Sequence, residues 1–311
     1  MINLNSKIYV AGHTGLVGSA ILRKLKRKGY RNVIYRTRNE LDLKNQIKVY
    51  NFLKKHKPDF IFIAAAKVGG IYSNNKYKAD FIYDNISIQS NLIHSAYKNG
   101  INNIIFLGSS CVYPRNCKQP IKESYLLSGE LEKTNDAYAI AKIAGIKMCE
   151  AYRNQYGCDY ISAQPNNLYG PGDNFDLKRG HVIPALIHKT HLAKLNDDKA
   201  LNVWGTGTVK REFLHVDDCA DALIHLIKFY SGIQQVNIGT GKEITIKELA
   251  HYISKVIGYK GDLKFDSNMP DGSPRKLLDH SRMKSLNWSA TIGLEDGLNS
   301  TYQWFQKNFA D

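Results

Sequence analysis

Short runs of apolar residues alternate, over the first half of the chain, with longer segments whose apolar residues recur at helical spacing. The short runs predict buried strands, and the longer segments predict helices. The predicted strands cover residues 7–12, 32–35, 59–65, 103–109 and 159–164, and the predicted helices cover residues 16–29, 46–56, 79–99 and 135–155. Strands that are apolar throughout and alternate with helices are typical of a parallel sheet covered on both faces. The pattern therefore predicts an α/β fold with a doubly wound parallel sheet.

This alternation of strands and helices changes after Pro165. Residues 170–209 and 241–304 mix turns, short strands and helices, whereas residues 213–226 and 236–239 return to the pattern of the first domain. We therefore expect a smaller C-terminal domain that is interleaved with the first one. The expected division is 1–165 for the first domain, with return segments near 213–240, and 166–311 for most of the second.

The composition is that of an ordinary globular protein. The chain has 311 residues and a mass of 35.2 kDa, with 43% hydrophobic and 23% charged residues, which argues against disorder, collagen and coiled coils. No apolar run approaches the roughly 18 residues that a membrane helix needs, and the first residues enter a strand pattern without a signal peptide. The five cysteines lack the spacing of a disulfide framework or a metal site. We therefore expect reduced thiols, no bound metal, no membrane partner and a cytoplasmic location.

The formal net charge of +15 favours anionic partners. Nucleic-acid-binding proteins usually cluster their basic residues on one face or in one tail. Here the lysines are spread from Lys7 to Lys307 without a long basic block. We therefore expect no nucleic acid partner, and a phosphorylated small molecule remains.

A glycine-rich segment, GHTGLVG at residues 12–18, lies between the first predicted strand and the first predicted helix. At such a junction Gly12 permits a tight turn, Gly15 lets backbone N–H groups approach a pyrophosphate, and Gly18 allows close packing of the helix. The helix N-terminus then faces the negative charge. The segment predicts a dinucleotide site in a Rossmann-type sheet, with Thr14, Leu16 and Val17 as further cofactor contacts.

The end of the second predicted strand indicates which dinucleotide binds. An acidic residue there would hydrogen-bond the ribose hydroxyls of NAD. This chain instead has Arg36 and Arg38, with no carboxylate before Glu40. Because a guanidinium binds phosphate through a planar fork of donors, the pair predicts NADP(H), whose adenosine ribose carries a 2′-phosphate. The alternative is a solvated basic turn.

A phenol and an ammonium group are spaced for one helix face by Tyr138 and Lys142. A tyrosine is a poor acid or base at neutral pH, and a nearby ammonium favours its phenolate form. Ser109 closes the preceding strand, at the sheet edge where ligands bind in such folds. Together with the dinucleotide loop, the three residues predict proton transfer coupled to a redox reaction.

The chain resembles the GDP-L-fucose synthase family of extended short-chain dehydrogenases/reductases, which are GDP-4-keto-6-deoxy-mannose 3,5-epimerase/4-reductases. The resemblance covers essentially the whole chain. It rests on the segments AAAKVGG at 64–70, LGSSCVYP at 107–114, YAIAKIAG at 138–145, NLYGP at 167–171, HVIP at 181–184, REFLHVDD at 211–218 and PDGSPRKLLD at 270–279.

The resemblance implies a role for each residue at a matching position. Tyr138 would protonate the C4 oxygen as hydride arrives from NADPH, and Ser109 would hydrogen-bond the same oxygen. Lys142 would hold the nicotinamide ribose and favour the phenolate of Tyr138. Cys111 and His181 match the base and the acid that epimerise the carbons flanking the ketone.

The resemblance also implies the two binding surfaces and the assembly. The first domain would bind NADP(H), with its nicotinamide lined by Leu107, Gly108, Pro165, Asn166, Asn167, Leu168 and His181. The second domain would bind a GDP-sugar substrate through Lys189, Trp204, Arg211 and Asp279. A homodimer is also expected, since the family commonly buries the helices predicted at 79–99 and 135–155 against their symmetry mates. The pathway would be nucleotide-sugar biosynthesis for surface glycans.

Two positions depart from the family pattern. Asn166 stands where the family usually has threonine, next to the expected nicotinamide site. Thr14 stands where an arginine is frequent, which shifts the expected binding of the 2′-phosphate to Arg36 and Arg38. Both departures leave the reaction class unchanged but loosen the substrate assignment.

Other functions are less compatible with these residues. A 4,6-dehydratase normally has Asp-Glu just after the catalytic Ser or Thr, and Ser110, Cys111 and Val112 offer no carboxylate. A UDP-sugar 4-epimerase would retain NAD, which Arg36 and Arg38 disfavour. A non-enzymatic NADP-sensing module would not need Ser109, Tyr138 and Lys142 together.

One alternative lies within the family. Some relatives are C4-reductases without epimerase activity that act on other GDP-4-keto sugars, such as a GDP-6-deoxy-4-keto-heptose. An extra CH2OH group at C6 changes the volume of the pocket and not the chemistry. The sequence leaves this alternative open.

Overall fold

A computed structural model describes residues 2–177, 179–269 and 275–309. In chain order, the strands are β1 (Ile8–Ala11), β2 (Val33–Ile34), β3 (Phe60–Ile63), β4 (Asn103–Leu107), β5 (Asp159–Pro165), β6 (Asn167–Tyr169), β7 (Ala200–Trp204), β8 (Lys210–His215), β9 (Val236–Ile238), β10 (Glu243–Thr245), β11 (Asp262–Asp266) and β12 (Arg275–Lys276). The helices are α1 (Leu16–Arg27), α2 (Gln46–His56), α3 (Ile71–Lys76), α4 (Lys78–Lys98), α5 (Asp136–Tyr156), α6 (Val182–Leu195), α7 (Val216–Phe229), α8 (Ile246–Ile257), α9 (Ser281–Ser285) and α10 (Leu294–Phe309).

The main sheet has six parallel strands in the order β2-β1-β3-β4-β5-β9. The predicted α/β fold with a doubly wound parallel sheet is therefore confirmed. The order reverses between β1 and β3, since the chain first adds β2 on one side of β1 and then β3 on the other. In open α/β sheets, ligands bind outside the carboxyl ends of the strands at such a switch point.

Both faces of the main sheet are covered, which explains why its strands are apolar throughout. In β1, Ile8 and Val10 enter the core on one face, whereas Tyr9 and Ala11 enter the core on the other face. Helices α1 and α7 cover the first face, and helices α2, α4 and α5 cover the second. Alternate side chains of a strand point to opposite faces, so both sets must be apolar when both faces are buried.

The C-terminal part of the chain builds a second core beside the carboxyl edge of the main sheet. Strands β6, β8, β10 and β12 form a four-stranded sheet, and β7 pairs with β11. Helices α6, α8 and α10 contribute to its core, which includes Phe175, Leu249 and Phe305. Of the described helices, none combines the length and the apolar content needed to cross a membrane.

The return to the first domain differs in extent from the prediction. Helix α7 packs against α1, and β9 pairs with β5 in the main sheet. Strand β8, however, pairs with β6, β10 and β12 in the second sheet. The return expected from residue 213 therefore begins at Val216, because the apolar second half of β8 (Lys210–His215) packs in the second sheet and not in the first domain.

Candidate active site

The glycine loop brings the N-terminus of α1 against the switch point of the main sheet. Gly12 has a positive φ of 86°, and a Cβ there would lie 2.6 Å from the backbone of Ala65, just after β3. A Cβ on Gly18 would lie 2.0 Å from the carbonyl oxygen of Gly12. These glycines therefore permit close contact between the loop, α1 and β3, as a pyrophosphate-binding turn requires.

A cavity of about 410 Å³ opens beside this loop, at the end of β2. It is lined by His13, Val33, Ile34, Tyr35, Arg36, Thr37, Glu40 and His56. A volume of this size is within the range of small-molecule sites. The loop, the N-terminus of α1 and this cavity together fit the pyrophosphate and adenosine of a dinucleotide.

The two predicted arginines lie differently in relation to this cavity. The guanidinium of Arg36 lies 5.6 Å from the ring centroid of Phe52 and donates a hydrogen bond to the carbonyl oxygen of Tyr35 at 2.7 Å. Arg38 is exposed and lies outside the lining. Glu40, which the sequence analysis placed beyond the strand end, lines the cavity, and Thr37 donates to its carboxylate from the backbone and the hydroxyl, each at 2.7 Å. These hydrogen bonds lower the pKa of Glu40 below its ordinary value.

Ser109, Tyr138 and Lys142 lie together at the carboxyl end of β4. Lys142 is only 2% exposed, and its ammonium nitrogen lies 2.7 Å from the carbonyl oxygen of Leu107. The same nitrogen lies 5.9 Å from the ring centroid of Tyr138. The Ser109 side chain lies close enough to the Tyr138 phenol to lower the pKa of that phenol. The arrangement sets a hydroxyl, a phenol and an ammonium around one point of the sheet edge.

Burial dominates the acid–base properties of this group. It raises the pKa of Tyr138 well above its ordinary value; the Cys111 thiol adds to this rise, and the Ser109 side chain opposes it. Burial also lowers the pKa of Lys142 to about 7. The ammonium contacts the Leu107 carbonyl and not the phenol oxygen, so the structure does not show the expected stabilisation of a phenolate. Tyr138 is therefore a protonated donor at neutral pH.

Cys111 lies just beyond the strand predicted at 103–109 and does not continue it. Ser109 is extended, with φ of −165°, but residues Ser110–Val112 then form a 3₁₀ turn. The Ser109 hydroxyl caps this turn by accepting a hydrogen bond from the Cys111 N–H at 3.2 Å. The turn still brings the thiol close enough to Tyr138 to raise the pKa of the phenol.

His181 is the residue that precedes α6, and it is exposed to solvent. The loop before it is held by Gly70, whose N–H donates to the carbonyl oxygen of Arg179 at 3.0 Å. A Cβ on Gly70 would lie 2.7 Å from the carbonyl oxygen of Gly180. The surrounding protein and then the ammonium of Lys276 lower the pKa of His181 below its ordinary value. The AAAKVGG segment thus sets the position of the loop that carries this imidazole.

The segments expected to line the nicotinamide are tightly fixed. A Cβ on Gly108 would lie 1.8 Å from the side-chain oxygen of Gln164, which accepts the Ser109 N–H at 2.8 Å. The Asn166 amide donates to the carboxylate of Glu212 and accepts the Asn167 N–H at 3.0 Å. Leu107, Pro165 and Leu168 belong to the adjoining strands β4, β5 and β6.

Glu212 is a residue that the sequence analysis passed over within the REFLHVDD segment. Its side chain is completely buried, and its carboxylate accepts the Gly241 N–H at 2.6 Å and the Leu278 N–H at 3.0 Å. Together with Asn166, it joins β5, β8, the turn before β10 and the segment after β12. The available signal was an acidic residue directly before the apolar pair Phe213 and Leu214.

The residues expected to bind the GDP-sugar lie in two parts of the structure. Three of them lie on α6, β7 and β8, and Asp279 lies beyond β12. The ammonium of Lys189 on α6 lies 4.5 Å from the ring centroid of Trp204, which is 50% exposed at the end of β7. Burial lowers the pKa of Lys189. Arg211 lies on β8, where its guanidinium donates to the carbonyl oxygen of Lys210 at 2.8 Å.

Asp279 lies beyond β12 on the side of Ile121, whose carbonyl oxygen accepts the Asp279 N–H at 2.8 Å. Burial raises the pKa of Asp279, but hydrogen bonds from Ser281 and the charges of Lys122 and His280 outweigh this and lower it overall. The first residues of the PDGSPRKLLD segment, 270–274, lie outside the described residues.

Comparison with known proteins agrees with this geometry. A model of the NAD dependent epimerase/dehydratase family matches residues 8–239. GDP-L-fucose synthase 1 of Arabidopsis thaliana is 54% identical over 308 residues, covering 99% of this chain and 95% of the relative. GDP-L-fucose synthase of Escherichia coli K12 is 52% identical over 311 residues, covering 97% of each. The structure of MlghC, a GDP-mannoheptose C4 reductase from Campylobacter jejuni with NADP bound, has a TM-score of 0.89 at 38% identity, covering 98% of this chain and 100% of that one.

Proposed function

The chain belongs to the NAD dependent epimerase/dehydratase family, among its GDP-L-fucose synthases, and on this premise we propose that it is an NADPH-dependent nucleotide-sugar 4-ketoreductase with 3,5-epimerase activity. The enzyme reduces the C4 ketone of a GDP-4-keto-6-deoxy sugar, in nucleotide-sugar biosynthesis. The observation that carries this function is the identity of 52–54% to GDP-L-fucose synthases over nearly the whole chain.

Reduction at C4 follows from the group around Lys142. NADPH, when bound, supplies the hydride. The protonated phenol of Tyr138 gives its proton to the C4 oxygen, and the Ser109 hydroxyl hydrogen-bonds the same oxygen. Lys142 holds the nicotinamide ribose, and its pKa of about 7 allows it to gain or lose a proton near neutral pH.

Epimerisation uses Cys111 and His181. The Cys111 thiolate removes the proton from a carbon next to the C4 ketone, and the electron pair of the C–H bond forms an enolate with its charge on the C4 oxygen. His181 then gives a proton to the opposite face of that carbon, which inverts it. The surrounding protein and the Lys276 ammonium lower the pKa of His181, so its protonated form, which is the minor form at pH 7, is a stronger acid than an ordinary imidazolium.

The two parts of the chain bind different ligands. Residues 1–165 with α7 and β9 bind NADP(H), which is supported by the glycine loop and the cavity at Arg36. Residues from 166 onwards bind the GDP-sugar. Trp204 offers a flat, half-exposed ring to the nucleotide, and the cations of Lys189 and Arg211 suit its diphosphate. Asp279, on the Ile121 side, suits hydroxyl groups of the ligand.

A second candidate is a C4-reductase without epimerase activity that acts on a GDP-6-deoxy-4-keto-heptose. It is favoured by the likeness to MlghC, a GDP-mannoheptose C4 reductase, over nearly the full length of both chains. Proton NMR of the products formed from GDP-4-keto-6-deoxy-mannose and its heptose analogue with NADPH distinguishes the two candidates. The main proposal expects the hexose to be the better substrate and its product to be inverted at C3 and C5.

The assembly and the compartment are part of the proposal. Helices α4 and α5 pack against each other and expose Tyr83, Ile86 and Ile140, and a second copy of the chain would cover these apolar side chains in a homodimer. The five cysteines are free thiols, which suits the reducing conditions of the cytoplasm.

A further inference from the structure

The ammonium nitrogen of Lys276 lies 3.5 Å from the sulfur of Cys111, although the two residues are 165 positions apart in the sequence. The thiolate is the reactive form of cysteine, and an adjacent lysine favours it over the neutral thiol. The epimerisation described above needs Cys111 as a base. Lys276 is therefore placed to act on that residue.

The backbone around Lys276 is fixed by three polar side chains. The carbonyl oxygen of Lys276 accepts from the Asn166 amide at 3.4 Å, and the Leu277 N–H donates to the side chain of Gln119 at 2.8 Å. The Leu278 N–H donates to the buried carboxylate of Glu212. Because β12 also pairs with β8, the ammonium is held at Cys111 by a preorganised support.

The other charged groups that face the 3₁₀ turn of Cys111 have partners of their own. The Arg115 guanidinium lies 3.2 Å from the carboxylate of Glu132, and the Arg275 guanidinium lies 2.8 Å from that of Glu243.

Two other titratable groups near the thiol are uncharged at neutral pH. From α5, Tyr138 is neutral because burial raises the pKa of its phenol. From the start of α6, the pKa of His181 is lowered, so this imidazole is mainly neutral at pH 7. Among the described residues, Lys276 is thus the cation whose ammonium nitrogen lies at hydrogen-bond distance from the sulfur.

We propose that Lys276 is a positioning residue that holds Cys111 as a thiolate and so prepares it to remove the proton beside the C4 ketone. The thiol proton leaves to water before the substrate reacts. In the reaction, the sulfur gains the substrate proton, the C–H electron pair enters the enolate, and His181 supplies the proton of the new C–H bond. The Lys276 ammonium keeps its proton throughout. The consequence for epimerisation rests on the proposed function, whereas the thiolate is a property of the free protein.

The test measures alkylation of Cys111 by iodoacetamide in the full-length protein, followed by mass spectrometry of the Cys111 peptide. Lys276→Met should slow alkylation about tenfold at pH 7 and leave it within about twofold of the native rate at pH 10, where any accessible thiol is ionised. Lys276→Arg should keep a rate near the native one at pH 7. Arg275→Met is the matched control, because it removes the neighbouring cation that is paired with Glu243, and its rate should equal the native rate.

Equal alkylation of the native protein and Lys276→Met at pH 7 would overturn the proposal. Equal slowing at both pH values would also overturn it, since that result indicates a change in access to the thiol. Thermal melting and NADPH binding report whether each variant is folded. If the Met variant is not folded, the Arg variant tests the proposal. The assay contains no sugar substrate, so fast, Lys276-dependent alkylation without any ketoreductase activity would count against the proposed function alone.

Discussion

The ammonium nitrogen of Lys142 donates a 2.7 Å hydrogen bond to the carbonyl oxygen of Leu107, the last residue of β4. A buried cation in this position is costly, and burial accordingly lowers the pKa of Lys142 to about 7. The contact links the last residue of β4 to helix α5, which carries Tyr138 and Lys142. It indicates that part of the folding stability is given up to keep an ionisable amine at the site.

This cost predicts how stability depends on pH. Between pH 7 and about 10.5 the unfolded chain carries a proton on Lys142 that the folded chain has lost, so the contribution of this residue to stability rises with pH. Lys142→Met removes the contribution. The melting temperature of the Met variant minus that of the native protein should therefore be larger at pH 6 than at pH 9, as measured by scanning fluorimetry without cofactor. A difference in melting temperature that does not change with pH would contradict the lowered pKa of Lys142.

Tyr138→Phe should lower kcat for ketone reduction by about 10²- to 10⁴-fold, because it removes the proton donor and little volume. NADPH binding, followed by its fluorescence, should be unchanged. The raised pKa of Tyr138 means that the native phenol remains protonated across the neutral range. A Phe variant that retained most of its kcat would assign Tyr138 a structural role.

Cofactor preference should depend mainly on Arg36, which lines the cavity at the end of β2, and less on the exposed Arg38. Loss of a charge-assisted phosphate contact costs about 1.5–3 kcal/mol. Arg36→Ala should therefore raise the KM for NADPH by about tenfold or more while sparing that for NADH. Arg31→Ala, which removes an exposed arginine before β2, is the control and should change neither the KM for NADPH nor that for NADH. Equal use of NADPH and NADH by the native enzyme would reject the arginine assignment.

The homodimer is tested by the mass in solution. Light scattering at micromolar concentration should give twice the chain mass of 35.2 kDa. Ile140→Glu, on the exposed face of α5, should shift the protein towards the monomer because it places a charge in the apolar contact. Ile47→Glu, at a more exposed isoleucine on α2, should leave the mass unchanged. A monomeric native protein would count against the assembly.

The sequence predicted those features that depend on local pattern. Buried strands on both faces of the main sheet are apolar throughout, so residues such as Ile8 and Tyr9 identify β1 without tertiary information. The family resemblance is also confirmed, because its motifs extend over the whole chain and the relatives match at 52–54% identity. The roles carried over to Cys111, His181 and the sugar-binding residues remain predictions.

Features that depend on distant parts of the chain were not predicted. The contacts of Glu212 with Asn166 and Leu278 join segments 46 and 66 residues away, and no local pattern indicates them. The 3₁₀ turn at Cys111 was not predicted, because the cap supplied by Ser109 has no periodic signature. The position of Lys276 depends on the pairing of β12 with β8, which the sequence analysis did not anticipate.

The central claim is that one site both epimerises and reduces a GDP-4-keto-6-deoxy sugar. Proton NMR of the product formed from GDP-4-keto-6-deoxy-mannose and NADPH in deuterated water tests it most directly. The native enzyme should place deuterium at C3 or C5, and Cys111→Ala should stop this exchange while it still reduces a pre-epimerised ketone. Reduction by the native enzyme without deuterium uptake would contradict the claim and leave a C4-reductase.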